Sequence, residues 1–184
     1  MARTESVMLP LQTPAPDFAL PDVTTGAIIK LADFAGRDAL LVMFICRHCP
    51  FIQHIERGLG QLGRDYSKKS LGIVAVSSND TFSFPEDAPE SLREQAAEVG
   101  FVFPYLFDET QEVARDYGAA CTPDLFLFNR ERKLVYRGQF DSSRPGNHVP
   151  VTGEDLREAI DAVLADKPVK AEQQPALGCS IKWK

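Results

Sequence analysis

Two cysteines separated by two residues are the part of this sequence with the clearest chemistry. Cys46 and Cys49 enclose Arg47 and His48, and Pro50 follows directly. If this segment opens a helix, the second sulfur lies one turn beyond the first, so the two can meet and form a disulfide. A thiolate, not a thiol, attacks disulfides, so a working cysteine needs a lowered pKa. The spacing therefore predicts a redox-active dithiol.

The neighbouring residues predict where this dithiol sits. Residues 40–45 are apolar without alternation, which is typical of a strand buried on both faces. Beyond the dithiol, apolar residues recur at helical spacing: Ile52, Ile55, Leu59 and Leu62. A helix start favours an anion through its free N–H groups and its dipole, and Arg47 and His48 beside it are expected to tune the redox potential. We therefore expect Cys46 to be the nucleophile and Cys49 the resolving thiol.

A pair of cysteines at this spacing can also be half of a zinc site, or two buried cysteines that only pack in the core and take part in no reaction. A tetrahedral zinc site needs two further ligands at suitable spacing. His48 and His54 are close in sequence, but no second pair of cysteine ligands follows them. We therefore predict no metal and no cofactor other than the dithiol and its disulfide.

A second segment of interest is Cys121-Thr122-Pro123, which precedes an apolar run at 124–128 that reads as a strand. Proline is tolerated as the first residue of a strand, and a cis bond before it would be a deliberate constraint. A cis-proline loop that faces the dithiol would leave a neighbouring backbone edge free to pair with an extended substrate peptide. Thr122 and Pro123 are therefore candidate substrate-binding residues.

Cys121 and Cys179 are possible additional thiols. At the entrance of a strand, Cys121 is either a small buried hydrophobic residue or a third redox partner. Cys179 lies in a polar tail, where an exposed thiol would be readily oxidised. Either the tail folds back and buries it with Ile181 and Trp183, or it acts as a distant resolving or regulatory thiol. We expect burial.

Composition and charge argue against several classes of protein. The 184 residues are 44% hydrophobic and 25% charged, as in an ordinary globular domain. A net charge of −6 argues against nucleic acid and anionic membranes as partners. The longest apolar run, 39–46, is far shorter than the roughly 20 residues that span a bilayer. Prolines at 10, 14 and 16 interrupt any apolar segment near the N-terminus, so we expect a cytoplasmic protein, either monomer or homodimer.

The order of predicted elements indicates an α/β fold with a central mixed sheet flanked by helices. A hairpin is expected around Gly26, and buried strands at 40–45 and 71–76 are each followed by a helix. A strand and a helix at about 104–117 form an extra insertion. An antiparallel hairpin at 124–140 and a last helix complete the domain, which we assign to 1–167, with the tail 168–184 docked on it. The last helix is expected to begin with a capping box at 152–155.

Together these segments resemble the thioredoxin-like superfamily. Within it they are similar to the peroxiredoxin-like branch related to the alkyl hydroperoxide reductase and thiol-specific antioxidant proteins. The matching stretches span nearly the whole chain: 16–20, 31–36, 42–50, 78–80, 104–108, 117–124 and 178–184. The Cys-x-His-Cys-Pro core and the Gly-Cys-Ser-Ile-Lys-Trp-Lys ending are the most specific of them.

The resemblance implies a thioredoxin-like fold, a cis bond before Pro123 and an enzyme for thiol–disulfide oxidoreduction with an antioxidant or redox-homeostasis role. It also implies protein or small-molecule disulfides as substrates and an electron donor of thioredoxin or glutathione type. A thiol peroxidase is one alternative. A thioredoxin-fold module that binds peptides, with an incidental dithiol, is another.

The sequence departs from both better-known relatives. Peroxiredoxins carry a threonine three residues before the peroxidatic cysteine and a proline four residues before that threonine; counted from Cys46, these positions hold Met43 and Ala39. This makes peroxidase activity the weaker expectation. Thioredoxins keep a buried aspartate six residues before the first cysteine, where this chain has Leu40. The proton acceptor for Cys49 is therefore left open among His48, Asp80, a carboxylate in the loop 141–144, and water.

Overall fold

The computed structural model describes residues 3–184. Within them, the strands are β1 (Arg3–Glu5), β2 (Ala19–Pro21), β3 (Ile28–Lys30), β4 (Ala39–Phe44), β5 (Leu71–Ser77), β6 (Tyr105–Phe107), β7 (Cys121–Thr122), β8 (Asp124–Asn129), β9 (Leu134–Tyr136) and β10 (Leu177–Ser180). The α-helices are α1 (Pro50–Tyr66), α2 (Pro89–Val99), α3 (Glu112–Asp116) and α4 (Glu154–Leu164). Residues 1 and 2 of the predicted domain 1–167 lie outside this range.

Strand β4 is the central strand of a five-stranded mixed sheet with the order β6-β5-β4-β8-β9. It runs parallel to β5 and antiparallel to β8, with Phe44 opposite Asp124. All six residues of β4 are buried, which explains why its sequence shows no polar alternation. This sheet and its helices confirm the predicted fold class, including the N-terminal hairpin of β2 and β3 and the insertion of β6 and α3.

The two faces of the sheet bury separate apolar clusters, because successive side chains of a strand point to opposite faces. On one face, Leu41 and Met43 pack with apolar residues of α1, α2 and α4. On the other face, Leu40, Val42 and Phe44 pack with Val113 and Tyr117, near α3. Burial of one such large side chain contributes about 1.5–3 kcal/mol, so the helices are held firmly against β4 and the residues that follow it.

Helix α1 has glycines where other elements approach it closely. A Cβ atom on Gly63 would lie 2.8 Å from the ring of Phe103, and one on Gly60 would lie 3.0 Å from Val99. Such distances leave little or no room for a side chain. The glycines that weaken the helix signal in the sequence therefore permit the close packing of α1 against the end of α2.

The predicted capping box at Thr152 is wrong. Helix α4 begins at Glu154, and its N-cap is Gly153 with a φ of 70° and no capping side chain. The Asp141 carboxylate accepts hydrogen bonds from the backbone N–H groups of Thr152 and Gly153, at 2.7 and 2.6 Å. Asp155, the expected acid of the box, instead accepts a hydrogen bond from Gln139. A carboxylate from an earlier position in the same segment, between β9 and α4, has replaced the predicted cap.

The C-terminal segment belongs to a three-stranded sheet that is separate from the main sheet. Strand β10 lies between β1 and β7 and is antiparallel to both. Cys179 stands opposite Thr122, and Ser180 stands opposite Cys121. The tail therefore contacts the chain at the residues that precede Pro123. In the part of the chain that the structure describes, no helix is long and apolar enough to cross a membrane.

Candidate active site

The dithiol lies at the junction of the central strand and the first helix, as predicted. Cys46 follows β4 by two residues, Cys49 is the N-cap of α1, and Pro50 is the first helical residue. The two sulfurs hydrogen-bond each other. Both cysteines are completely buried, at 0% exposure. The sulfurs are thus close enough for disulfide exchange between them, while a substrate would reach them only after neighbouring groups move.

Thr122 contacts both sulfurs. Its hydroxyl lies 3.3 Å from Cys46 Sγ, and its carbonyl oxygen accepts a hydrogen bond of 3.2 Å from the Cys49 thiol. The Thr122–Pro123 bond is cis, which confirms the expectation drawn from the family resemblance. The expectation of a free backbone edge at this point is wrong, because β10 already pairs with Cys121 and Thr122.

The thiolate is favoured at Cys49. A hydrogen bond from the Cys46 thiol is the largest cause that lowers the pKa of Cys49 to about 5, and donors on Cys179, Thr122 and the Ile52 backbone N–H add to it against the effect of burial. Burial, the hydrogen bond to Cys49 and the charge of Asp87 raise the pKa of Cys46. Cys49 alone sits at the helix N-cap, where free N–H groups favour an anion.

Asp87 is a site residue that the sequence did not reveal. Its buried carboxylate accepts hydrogen bonds from the backbone N–H groups of Arg47 and His48, at 2.8 and 3.1 Å. It also accepts one from Asn79 Nδ2 at 2.7 Å and lies 2.5 Å from His48 Nδ1. One carboxylate thus holds the dipeptide between the two cysteines. Asp87 lies in an irregular segment 39 residues from His48, and no local pattern marks it.

His48 and Asp87 form an ion pair beside the dithiol. The hydrogen bond to Asp87 raises the pKa of His48 against the effect of burial. Burial raises the pKa of Asp87, but hydrogen bonds from His48 and Asn79 outweigh it and leave that pKa below its ordinary value. The other imidazole nitrogen, Nε2, is buried and has no hydrogen-bond partner within residues 3–184. The ring of Phe84 stacks on the imidazole, with centroids 4.9 Å apart.

The guanidinium group of Arg47 binds to helix α2. Its guanidinium lies 2.8 Å from a carboxylate oxygen of Glu94 and 3.4 Å from one of Glu98, and it donates a 2.7 Å hydrogen bond to the Ser91 carbonyl. These three partners belong to α2. The arginine therefore fastens the loop between the cysteines to α2, whereas the charge of Cys49 contributes to the raised pKa of His48.

The other two candidate carboxylates for proton transfer are engaged elsewhere. Asp80 accepts a hydrogen bond from the backbone N–H of Phe82, within its own loop. Asp141 caps the start of α4 and also accepts the backbone N–H of Ser143. Leu40, in the place of the thioredoxin aspartate, is fully buried in the core. Among the alternatives left open above, the structure puts His48 beside the sulfurs, paired with Asp87.

The two additional cysteines differ in their surroundings. Cys121 is fully buried, its thiol donates to the Pro123 carbonyl at 3.3 Å, and burial raises its pKa. Cys179 is buried as expected, and burial and a hydrogen bond to Cys49 raise its pKa to about 12. Ile181 is buried with it, but Trp183 is 42% exposed beneath the Arg115 guanidinium, so its expected burial is only partial.

Three groups of the site could contribute ligands to a metal ion. Ligating atoms of Cys46, His48 and Asp87 lie within 4.8 Å of one another. The His48–Asp87 hydrogen bond already joins two of these groups.

Comparisons with known proteins place these features among thiol-active proteins. A family model described as the AhpC/TSA family matches residues 11–137. A crystal structure of an uncharacterized conserved protein from Geobacillus kaustophilus is 52% identical, with a TM-score of 0.97 over 100% of this chain and 97% of that one.

Two curated proteins are more distant. The thiol-disulfide oxidoreductase ResA of Bacillus thuringiensis subsp. konkukian is 22% identical over 82% of this chain and 74% of its own length. Peroxiredoxin 2 of Drosophila melanogaster is 27% identical over 79% and 72%.

Proposed function

The chain belongs to the AhpC/TSA family, and on that premise we propose that it is a thiol–disulfide oxidoreductase that works through Cys46 and Cys49. The observation that carries this proposal is the contact of both sulfurs, at the start of α1, with one residue: Cys46 Sγ lies 3.3 Å from the Thr122 hydroxyl, and the Cys49 thiol lies 3.2 Å from the Thr122 carbonyl oxygen. The lowered pKa of Cys49 agrees with it. A thiolate beside a second thiol is the arrangement that disulfide exchange requires. The similarity to a protein named thiol-disulfide oxidoreductase supports the same activity.

The proposed order of the two cysteines rests on their positions. We propose that Cys49, which stands at the N-cap of α1 where free N–H groups and the helix dipole favour an anion, attacks a substrate disulfide. The sequence suggested Cys46 for this role, and the C46S and C49A variants distinguish the two orders. The attack forms a mixed disulfide on Cys49 and releases one substrate thiolate. Cys46, once deprotonated, attacks Cys49 Sγ, forms the Cys46–Cys49 disulfide and releases the second thiolate. The substrate gains two electrons and the protein loses two, so no further cofactor is needed.

His48 is the proposed proton carrier for the second step. Cys46 must lose its proton before it can attack, and ligating atoms of Cys46 and His48 lie within 4.8 Å of each other. Asp87 fixes the imidazole through Nδ1, which leaves Nε2 without a partner in the described chain. In this proposal the deprotonated form of His48 takes the Cys46 proton, becomes the imidazolium that pairs with Asp87, and then gives the proton to the departing substrate thiolate.

Substrates and donors follow from the same chemistry. We propose protein or small-molecule disulfides as substrates and a dithiol donor of thioredoxin or glutathione type, in a reducing compartment such as the cytoplasm. Because both sulfurs are buried, a substrate must displace part of their cover. Phe84 stacks on His48 and is itself partly exposed, and Phe82 beside it is 96% exposed. This aromatic surface is the proposed point of approach.

The test is reduction of insulin disulfides driven by dithiothreitol. We expect the wild-type protein to accelerate the reaction and the double variant C46S/C49S to leave only the rate of dithiothreitol alone. C121S is the matched control. It also removes a buried thiol, but that thiol donates its hydrogen bond to the Pro123 carbonyl and not to Cys46 or Cys49. A wild-type protein no faster than dithiothreitol alone would favour the binding module with an incidental dithiol. A double variant as fast as an active wild type would place the activity on other groups.

Peroxide consumption with the same dithiol donor tests the peroxidase alternative. Met43 and Ala39 are buried in β4 and offer no hydroxyl to a peroxide. We therefore expect peroxide to be consumed far more slowly than insulin disulfides. The reverse ranking would favour the peroxidase.

A further inference from the structure

The C-terminal strand brings a third sulfur to the dithiol. In β10, Cys179 stands directly opposite Thr122, the residue whose hydroxyl and carbonyl contact Cys46 and Cys49. Cys49 and Cys179 belong to the same buried cluster, and the interaction of their side chains lowers the pKa of Cys49 and raises that of Cys179. Cys49 is therefore in contact with two thiols, one from the junction of β4 and α1 and one from the tail.

The position of Cys179 is built into the fold. A Cβ atom on Gly178 would lie 2.0 Å from the Thr122 carbonyl oxygen and 2.6 Å from its carbonyl carbon, so only glycine lets the two backbones approach this closely. Backbone hydrogen bonds hold the tail on either side of Cys179: Ser6 N–H donates to the Ala176 carbonyl at 2.9 Å, and Ile181 N–H donates to the Ala120 carbonyl at 3.1 Å.

The residues that follow are fixed in the same way. Lys182 donates its backbone N–H to Asn79 Oδ1 at 2.8 Å, and its carbonyl accepts the backbone N–H of Asp80 at 2.8 Å. Asn79 in turn donates to Asp87, the carboxylate that holds the loop between the two cysteines. The tail and the dithiol loop thus share one hydrogen-bond network, so Cys179 keeps a constant position relative to Cys49.

We propose that Cys179 is a second resolving thiol for Cys49, so that the site can form either of two disulfides, Cys46–Cys49 or Cys49–Cys179. The proposal rests on the proposed thiol–disulfide exchange at this site and extends it to a third sulfur. Cys121 is not a candidate for this role, because its thiol donates to the Pro123 carbonyl and its strand position faces Ser180.

The chemistry of the additional step balances without a further reagent. The Cys179 thiol first loses its proton, and its thiolate attacks Cys49 Sγ in the Cys46–Cys49 disulfide. The bond to Cys46 breaks, and Cys46 leaves as a thiolate that takes up the proton that Cys179 lost. The protein remains oxidised by two electrons throughout. Equally, Cys179 can attack a mixed disulfide on Cys49 and release the substrate thiolate. In either case Cys46 becomes a free thiol while the protein still carries a disulfide.

The experiment uses C46S, which leaves Cys49 and Cys179 as the two thiols in contact. The protein is equilibrated with mixtures of reduced and oxidised glutathione, quenched with acid, alkylated, and mapped by mass spectrometry. We expect C46S to lose two hydrogens and to yield a disulfide-linked peptide pair containing Cys49 and Cys179. C46S/C121S should give the same pair. C46S/C179S should show no internal disulfide and should instead accumulate a glutathione adduct on Cys49.

Two results would overturn the proposal. One is a folded C46S, as judged by circular dichroism, that carries only glutathione adducts on Cys49 to the same extent as C46S/C179S. The other is a disulfide from Cys49 to Cys121. Because no substrate enters this measurement, its outcome is separate from the insulin assay. A protein inactive on insulin can still form the Cys49–Cys179 disulfide, and an active one can lack it.

Discussion

The junction of β4 and α1 and the C-terminal strand β10 both bring a cysteine to Cys49, but they do so by different means. At the junction, the strand end and the helix start are consecutive in the chain, so local geometry alone determines that Cys46 and Cys49 meet. In the tail, the contact between Cys179 and Cys49 depends on pairing with β1 and β7, more than fifty residues away in sequence. The first contact is a property of a motif, and the second is a property of the whole fold.

This difference indicates which of the two cysteine contacts should survive substitutions elsewhere in the chain. The junction keeps its two sulfurs together in any fold that retains a buried strand followed by a helix. The third sulfur depends on backbone hydrogen bonds and on one glycine that permits close approach. Substitutions in the junction should therefore change chemistry without much loss of structure, whereas substitutions near β10 should change both.

The largest effect is expected from C49A, because Cys49 is the sulfur shared by both contacts. We expect insulin reduction to fall to the rate of dithiothreitol alone. C46S should keep a measurable part of the activity, since Cys179 can still resolve a mixed disulfide on Cys49. C46S/C179S should lose that part and trap the mixed disulfide. If C46S is as inactive as C49A while remaining folded, Cys46 is the attacking sulfur, as the sequence suggested.

A second large effect is expected from D87N, which acts on the loop shared by both regions. The Asp87 carboxylate is buried and accepts hydrogen bonds from Arg47, His48 and Asn79. Removal of its charge should reduce the free energy of unfolding by about 2–4 kcal/mol, the range for buried charged hydrogen bonds and ion pairs. Urea denaturation at several pH values measures this loss.

The pH dependence of the D87N effect has a defined sign. The lowered pKa of Asp87 adds stability above its ordinary pKa of 3.8, and this is lost as the pH falls through the folded value. The raised pKa of His48 adds stability below its ordinary pKa of 6.5, and this is lost as the pH rises through the folded value. The difference between wild type and D87N should therefore be largest between about pH 4 and 6.5. D80N is the control and should leave the His48 titration unchanged, because the Asp80 carboxylate accepts its hydrogen bond from Phe82, within its own loop, and not from His48.

Much of the fold could be predicted because its signals are local. The unbroken apolar run of β4 and the helical spacing in α1 each report the surroundings of their own residues. The dithiol at their junction was found for the same reason. The cis bond at Pro123 was expected only through the family resemblance, because sequence shows a proline but not its isomer.

The rest of the site depends on contacts between distant segments. Asp87 lies in an irregular segment and acquires its role only when Pro85–Asp87 folds next to the loop of His48. The predicted capping box is wrong because Asp141, 11 residues before Thr152, accepts the Thr152 N–H that Asp155 would accept in the box. The free edge at Thr122 was expected because a four-residue strand in a polar tail, β10, carries too little pattern to be recognised.

A moderate effect is expected from G178A, which tests the tail without removal of a thiol. The added Cβ meets the Thr122 carbonyl, which is backbone and cannot rotate away, so β10 must shift. We expect the free energy of unfolding to fall by about 1–3 kcal/mol, as for overpacked sites. In the C46S background the Cys49–Cys179 disulfide should form to a smaller extent at every glutathione ratio. G146A is the control, because a Cβ atom added to Gly146 would meet no atom within 4 Å. Its φ of 85° adds backbone strain but no steric contact. An undiminished disulfide in C46S/G178A would show that the close approach of β10 is not what positions Cys179.

The smallest effect is expected from R47Q, which separates the two residues between the cysteines. The Arg47 ion pairs reach Glu94 and Glu98, whose side chains are 66% and 65% exposed, so their loss should cost about 1 kcal/mol or less. Thiolate absorbance at 240 nm, followed against pH, should still report a pKa of about 5 for Cys49, because that value arises from Cys46, Cys179, Thr122 and the Ile52 N–H. H48Q, by contrast, removes a positive charge that is paired with Asp87 beside the dithiol and should change the titration of the pair. A larger shift of the thiolate titration in R47Q than in H48Q would assign the tuning of the dithiol to Arg47 instead of the imidazole.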